Sequence, residues 1–358
     1  MTMTLTTTPT HQALTAELAQ LATAAKELTE SSKSDSTRRI YQTLFYGNGV
    51  KASGDRGFNG TERALPFALW CDRYGFASLP ADANTVAGYV TYLSEMGRSV
   101  SAASSAVAAI RFIHRAAGHT SPTDAERVST VLTGMRNQRA KAGILPAKKA
   151  AATLDVLRAM ADQITGDDLF ALRDRAMLLT GFAGAFRRSE LVALVASDVS
   201  LKVDAMVIRI RKSKTDQGGK GQYKTIAVTG GAYCAVGAMR AWLKAAQVKD
   251  GCVFLQIERT KGGSVLSSKC VDGRAVARVV QTLAAKAGLN PAQFGGHSLR
   301  SGFITSAADR KHSKAEIAAI SGHAVNSAVL ETYIQTNDAK ALAVSKDVLS
   351  ALGTKGAK

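Results

Sequence analysis

Leu and Ala recur at helical spacing in HQALTAELAQLATAAKELTE, residues 11–30, so the chain is expected to open on an amphipathic helix behind a Thr-rich tail. Ser34, Asp35 and Ser36 then precede TRRIYQTLF, where they can cap a second helix. YGNGVKASGDRGFNG breaks the pattern with glycines and reads as a loop. Helical periodicity resumes around 61–74, 85–96 and 100–117. The last of these sets Val107, Ile110 and Ile113 with His114 on one stripe and stops at Gly118. A further helix is expected over 123–140, and RAKAGILPAKKAAA after it combines Gly, Pro and basic residues in the manner of a linker.

In the second half two β-rich runs, 206–211 and 223–229, flank a polar Gly-Gly turn and predict a hairpin. Elsewhere the pattern is helical. One helix ends in the small residues of TGFAGAF and another begins near Ser189, with Leu191 and Leu194 facing the core. Leu299 and Phe303 form an i, i+4 apolar pair, and Ser313-x-x-Glu316 is a capping box opening a helix with Ile317 and Ile320 as its core residues. Gly322 ends that helix, Asn326 or Ser327 can cap the next, and Tyr333 lies about two turns inside it. NDAKALAVSKDVLSALG then supplies Leu342, Val344, Val348 and Leu349 or Leu352 to a last apolar face. The expected class is mainly α with a small β-hairpin or sheet. The expected division is a disordered tail 1–12, a helical domain 13–140, a basic linker 141–150, a second domain 151–337 and a C-terminal helix 338–358.

Charge narrows the partners. The 46 Lys and Arg outnumber 28 Asp and Glu, for a net +18 and a pI of about 9.9, which favours a polyanion. Apolar residues make up 46 %, enough for a core. No run approaches the ~18 apolar residues of a spanning helix, and MTMTLTTTPTHQ lacks the regions of a signal peptide. Cys71, Cys234, Cys252 and Cys270 include no C-x-x-C pair and fit no zinc spacing, so free thiols in a reducing cytoplasm are expected.

Four stretches offer chemistry. In GAFRRSEL, Arg187 or Arg188 stands at a helix start, where a guanidinium can hold an anion. His297 and Arg300 are three apart beside a Gly-Gly turn, and an arginine fork suits phosphate. His323 follows a helix end, and Tyr333 ten residues on is by spacing alone a core aromatic. The hairpin carries Arg209, Arg211, Lys212, Lys214, Lys220 and Lys224, which read either as a solvated charged hairpin or as one facing phosphate.

In order along the chain, Arg-x-Ser-Glu-Leu, a hairpin lysine, His-x-x-Arg, Gly-His and Tyr resemble the tyrosine recombinase (phage integrase) family, with the Cre-like simple recombinases similar in size and layout. The resemblance spans roughly 150–350, and the N-terminal half looks like the family's helical core-binding domain, the two domains together implying a C-shaped DNA clamp. It selects Arg187 as the first catalytic arginine, with Glu190 supporting it. Lys214 matches the hairpin lysine, with Lys212 as its alternative. His297 and Arg300 match His-x-x-Arg, His323 the second histidine and Tyr333 the nucleophile. The interval from His323 to Tyr333 is one residue longer than the family commonly has, and the stretch between Tyr41 and Trp70 is also extended.

The resemblance implies transesterification at a DNA phosphodiester. Tyr333 attacks phosphorus and leaves a 3′-phosphotyrosyl link, Arg187 and Arg300 hold the non-bridging oxygens, and His323 adds a hydrogen bond. His297 takes the phenolic proton, and Lys214 protonates the departing 5′-oxygen. No metal or other cofactor is expected. Thr37, Arg38, Arg39, Ser101, Ser104, Arg111 and His114 in the first half, with Arg211, Lys212 and Lys220 in the hairpin, are the expected DNA contacts. The implied partner is double-stranded DNA with inverted-repeat recombination sites, bound by a homotetramer whose C-terminal helix docks on a neighbour and which works through a Holliday junction. A type IB topoisomerase and a non-catalytic DNA-binding protein of the same fold are the rival readings.

Overall fold

The computed structural model describes residues 20–21, 23–24, 33–47, 64–144, 149–211, 221–261 and 263–335. Its contacts divide the chain into two units, Met1–Ala147 and Lys148–Lys358. Most of the expected opening helix, the Gly-rich loop, the hairpin tip 212–220 and the C-terminal segment 338–358 lie outside the described residues.

Beyond the few helical residues at 20–24 and a short 3-10 turn, Pro122–Asp124, the described part of the first unit holds α1 (Asp35–Tyr46), α2 (Phe67–Tyr74), α3 (Ala83–Glu95), α4 (Val100–Ala116) and α5 (Glu126–Lys141). Ser34, Asp82 and Ser99 cap α1, α3 and α4 through their side chains, each accepting a backbone N–H that the first turn leaves open. The apolar faces meet in a core of Phe45, Phe67, Trp70, Tyr89, Val90, Ile110 and Met135. His114 belongs to that core. It is fully buried, its Nδ1 2.8 Å from the Ile110 carbonyl, while its Nε2 accepts the Ala81 N–H at 2.9 Å. The expectation that His114 contacts DNA is corrected: its stripe, shared with Ile110, is the buried one.

The second unit runs α6 (Leu154–Ala161), α7 (Leu169–Ala183), α8 (Arg188–Val192), β1 (Val199–Leu201), β2 (Ala205–Ile210), β3 (Gln222–Ala227) and α9 (Ala235–Ala245). It continues through β4 (Leu255–Thr260), β5 (Gly263–Cys270), α10 (Gly273–Lys286), α11 (Ser298–Asp309), α12 (Lys314–Ser321) and α13 (Ala328–Gln335). α7 is buried along most of its length, and it packs with α9, α10 and α11 around Met177, Leu178, Trp242, Phe254, Val280 and Leu299. The expected hairpin is β2–β3, and β1 extends it into a three-stranded antiparallel sheet in the order β1-β2-β3. A second antiparallel pair, β4–β5, stands where helix was expected.

Two further expectations are corrected here. Cys252 and Cys270 form a disulfide, with their Cα atoms 5.7 Å apart, inside the range a bridge requires. Residue 252 leads into β4 and residue 270 ends its partner β5, so strand pairing brings together two cysteines whose spacing gave no hint of it. Cys71 and Cys234 are free thiols. Ile320, expected in the core, is 40 % exposed, and only Ile317 of that pair is buried. No described helix is long and apolar enough to cross a membrane.

Candidate active site

α7 ends in a tight turn, Gly184-Ala185-Phe186, before α8. Ala185 takes a left-handed φ of 45°, which costs an L-residue with a Cβ. Gly184 leaves room for the Phe186 ring, since a Cβ there would sit 2.2 Å from its Cε2. The turn throws Arg187 inward and leaves Arg188 exposed. Arg187 is then fixed twice by the buried Glu190, whose Oε2 accepts its backbone N–H at 3.0 Å and whose Oε1 pairs with Nη1 at 2.6 Å. Its Nη2 reaches the Gly322 carbonyl at 3.4 Å.

Arg300 enters the same space from the first turn of α11 and is fully buried. Its Nη1 donates to the Ala185 carbonyl at 2.8 Å, its Nη2 lies 3.1 Å from His323 Nε2, and its Nε has no hydrogen-bond partner among the described residues. A buried guanidinium N–H without an acceptor is costly, and an incoming oxyanion would relieve it. Burial first, then the Arg187 charge, lowers the Arg300 pKa to about 10, which leaves it charged at neutral pH.

His323 follows Gly322, whose φ of 67° closes α12 in the left-handed form that glycine adopts freely. Its Nδ1 lies 2.9 Å from Ser321 Oγ. Burial, then the charges of Arg300 and Arg187, lowers its pKa to about 4, so the ring is neutral at pH 7. His297 precedes α11 and stays partly open to solvent. Desolvation, then Arg300, Arg187 and Arg188, also holds it below the usual imidazole value.

Tyr333 projects from α13, which packs on α11 and α12 through Ile304, Ala308, Ile317 and Leu330. A Lys314–Glu331 ion pair also ties α12 to α13. The Tyr333 ring is half-buried against that cluster, while its hydroxyl meets His297 Nε2 at 2.8 Å. The two readings of Tyr333 thus meet in one side chain, apolar along the ring and polar at the tip. Burial raises its pKa, and Arg300 acts in the opposite direction. The additional residue between His323 and Tyr333 does not prevent that contact.

Arg187, Arg300, His297, His323 and Tyr333 therefore converge, with Glu190 beneath them. Lys214, Lys212 and Lys220 lie outside the described residues. Arg211 is drawn aside, its Nε paired with Asp198 at 2.6 Å and its Nη2 donating to Ser197 at 2.9 Å. Lys224 is expected as one of the hairpin's cations, either solvated or facing phosphate. It is instead 3 % exposed and donates to the carbonyls of Gly184, at 2.7 Å, and Ile320. Strand alternation carries the signal for it, because Lys224 shares the inward phase of Ile226 and faces Ile208 across the register.

In the first unit, Arg38 and Arg39 on α1 border a cleft of about 470 Å³ shared with Phe112 and Ala116 of α4. Arg38 pairs with Asp35, and Thr37 lies beside it, half-buried. Ser101, Ser104 and Arg111 are exposed on α4, with Arg111 held by Thr123 and Asp124 at 3.0 and 2.9 Å. The larger cleft of the second unit, about 750 Å³, lies between the start of α7, β4 and α10, and none of the converging residues lines it. Among the described residues no group of His, Cys, Asp and Glu could hold a metal ion.

The sequence model of the phage integrase family matches residues 152–340, which contain every one of these converging residues. An integrase/recombinase XerD homologue of Selenomonas ruminantium is 32 % identical over 81 % of this chain and 78 % of its own length. The Cre recombinase of Escherichia phage P1 is 23 % identical over 76 % of this chain and 82 % of its own. Among solved structures, a lambda integrase dimer bound to a COC′ core site superposes with a TM-score of 0.50 at 13 % identity, over 91 % of this chain and 81 % of that one. XerH bound to palindromic difH in a post-cleavage complex gives 0.50 at 15 % identity, over 74 % and 72 %.

Proposed function

The chain belongs to the phage integrase family of tyrosine recombinases, and on that premise we propose that it is a site-specific DNA recombinase working through a 3′-phosphotyrosyl intermediate. The observation that carries the reading is the hydrogen bond between Tyr333 and His297, beside a buried Arg300 whose Nε has no acceptor among the described residues. The phenolic oxygen attacks the scissile phosphorus while its proton passes to the neutral His297, and the bond from phosphorus to the 5′-oxygen breaks. A phenol with a raised pKa needs such a base. Arg187 and Arg300 hold the non-bridging oxygens, and His323 completes the cradle. Lys214 is proposed to protonate the 5′-oxygen as it leaves.

Attack on the phosphotyrosine by the 5′-hydroxyl of a second duplex reverses the step and exchanges strands through a Holliday junction. The proposed partner is double-stranded DNA with inverted-repeat sites, and the proposed location is the cytoplasm. The proposed working form is a homotetramer on two such sites. The proposed DNA contacts are Thr37, Arg38, Arg39, Ser101, Ser104, Arg111, Arg211, Lys212 and Lys220.

The test uses wild-type protein and Tyr333→Phe with a library of nicked duplexes of random sequence, followed by sequencing of the covalently captured ends. Wild type is expected to capture ends sharing one sequence, and Tyr333→Phe to capture none while still binding duplex. Adducts surviving in Tyr333→Phe would sink the assignment. Relaxation of supercoiled plasmid with no site requirement would favour a topoisomerase.

A further inference from the structure

Two separate loops deliver the groups that face the proposed phosphate. Arg187 comes from the turn after α7, and His323 from the turn after α12. Nothing in the chain path links these turns, which are more than a hundred residues apart in sequence. Arg300 reaches both from α11, through Ala185 O and His323, and Arg187 itself reaches Gly322 O. A further side chain, from the sheet, holds the main chain of both turns. Lys224, on β3, donates to Gly184 O three residues before Arg187 and to Ile320 O three residues before His323. Its ammonium also stands 5.2 Å from the centre of the Phe186 ring, inside cation–π range.

We propose that Lys224 is a positioning residue that fixes the separation of Arg187 and His323 by clipping their two turns together, an inference that rests on the recombinase reading of this site. A lysine is strongly solvated in water, and burying its charge is unfavourable unless neighbours compensate. A core filler at this inward position of β3 would be apolar, as Ile226 is two residues on. The two carbonyls, the Phe186 ring and the carboxylate of Glu190 supply the compensation here. The lysine therefore does more than fill space, because its three N–H donors hold two main-chain acceptors that otherwise would lie unpaired beside the site. Its charge also reaches the site's own groups. Arg187 and Arg300 repel it and Glu190 attracts it, and it in turn disfavours protonation of His323. Burial, with the two arginines, lowers its pKa to about 8.

The experiment follows the imidazole signals of the full-length protein, labelled at histidine, and titrates inorganic sulfate as a tetrahedral dianion of constant charge. Wild type, Lys224→Met and Lys224→Arg are compared. Lys224→Met is expected to raise the His323 titration midpoint and weaken sulfate about fivefold or more, the scale of one lost charge-assisted contact. Lys224→Arg should restore most of both. A lysine serving only as packing would leave the His323 midpoint and the sulfate affinity of Lys224→Met as in wild type, and that result overturns the proposal. Should Lys224→Met fail to fold, wild type alone decides: sulfate must weaken as the Lys224 Cε signal titrates, wherever its midpoint falls, and affinity unchanged through that titration overturns the proposal. Absence of any covalent DNA adduct from wild type would count against the recombinase reading, while the sulfate and histidine signals still judge Lys224.

Discussion

His323 and Tyr333 sit under opposite electrostatic demands. Burial first, and then the same pair of arginines that suits an oxyanion, makes an imidazolium unwelcome, so His323 stays neutral far below the ordinary imidazole range. That has a cost when the protein is acidified. In the unfolded chain His323 titrates near ~6.5, whereas in the folded protein it does so at about 4. Between those values the unfolded state binds the extra proton, so folding stability falls as pH drops through the window and is unaffected by His323 above it. The prediction is that urea midpoints measured from pH 7 to pH 4 decline less steeply for His323→Asn than for wild type. Equal slopes would mean that His323 is not desolvated in the way its neighbours require. The residue scale is also where the sequence was least informative. Two adjacent arginines in GAFRRSEL cannot be told apart by spacing; the left-handed Ala185 decides between them, by turning Arg187 in and Arg188 out.

Elements with an unambiguous period or cap were legible. Ser313 and Glu316 form the capping box that their spacing foretells, and Leu191, Leu194 and Leu299 are buried as their phases require. The β4–β5 pair was not legible for a physical reason: its strands are exposed or half-exposed throughout, so no inward row of apolar residues marks them. The burial of Lys224 was not legible for the opposite reason, since a charge on the inward face is discounted when charge is taken to mean surface. The turn that ends α7 is the element on which the site most depends. A methyl at Gly184 would meet the Phe186 ring, itself 1 % exposed, at 2.2 Å, and the ring cannot withdraw without disturbing Lys224. Gly184→Ala is therefore predicted to cost about 1–3 kcal/mol by overpacking. The measurement is urea unfolding, with a lower midpoint and an unchanged slope as the expected outcome. A variant as stable as wild type would show that the turn has slack.

Across the whole molecule, fold class and site followed from different kinds of signal. Periodicity sufficed for a mainly helical chain, but periodicity alone made Tyr333 a core aromatic; only the order of Arg187, His297, Arg300, His323 and Tyr333 along the chain gave it a task. The net +18 belongs to this scale, because it acts on any duplex regardless of sequence. Each phosphate neutralised by a side chain steepens the dependence of log K on log salt by roughly 0.9, and removing one such side chain should relax the slope by that amount. The arginines differ in what they have to spare. Arg39 is exposed on α1 and no described carboxylate pairs with it, whereas Arg111 is already engaged by Asp124 and Thr123. Arg39→Ala is predicted to reduce the salt slope on random-sequence duplex by about one. Arg111→Ala should change it less, because DNA would first have to displace the Asp124 pairing. Tyr333→Phe should leave it unchanged, since a phenol carries no charge at neutral pH. Fluorescence anisotropy of a labelled duplex across a range of potassium chloride concentrations measures all three. A slope that Arg39→Ala leaves intact would take the α1 face out of the DNA-binding surface.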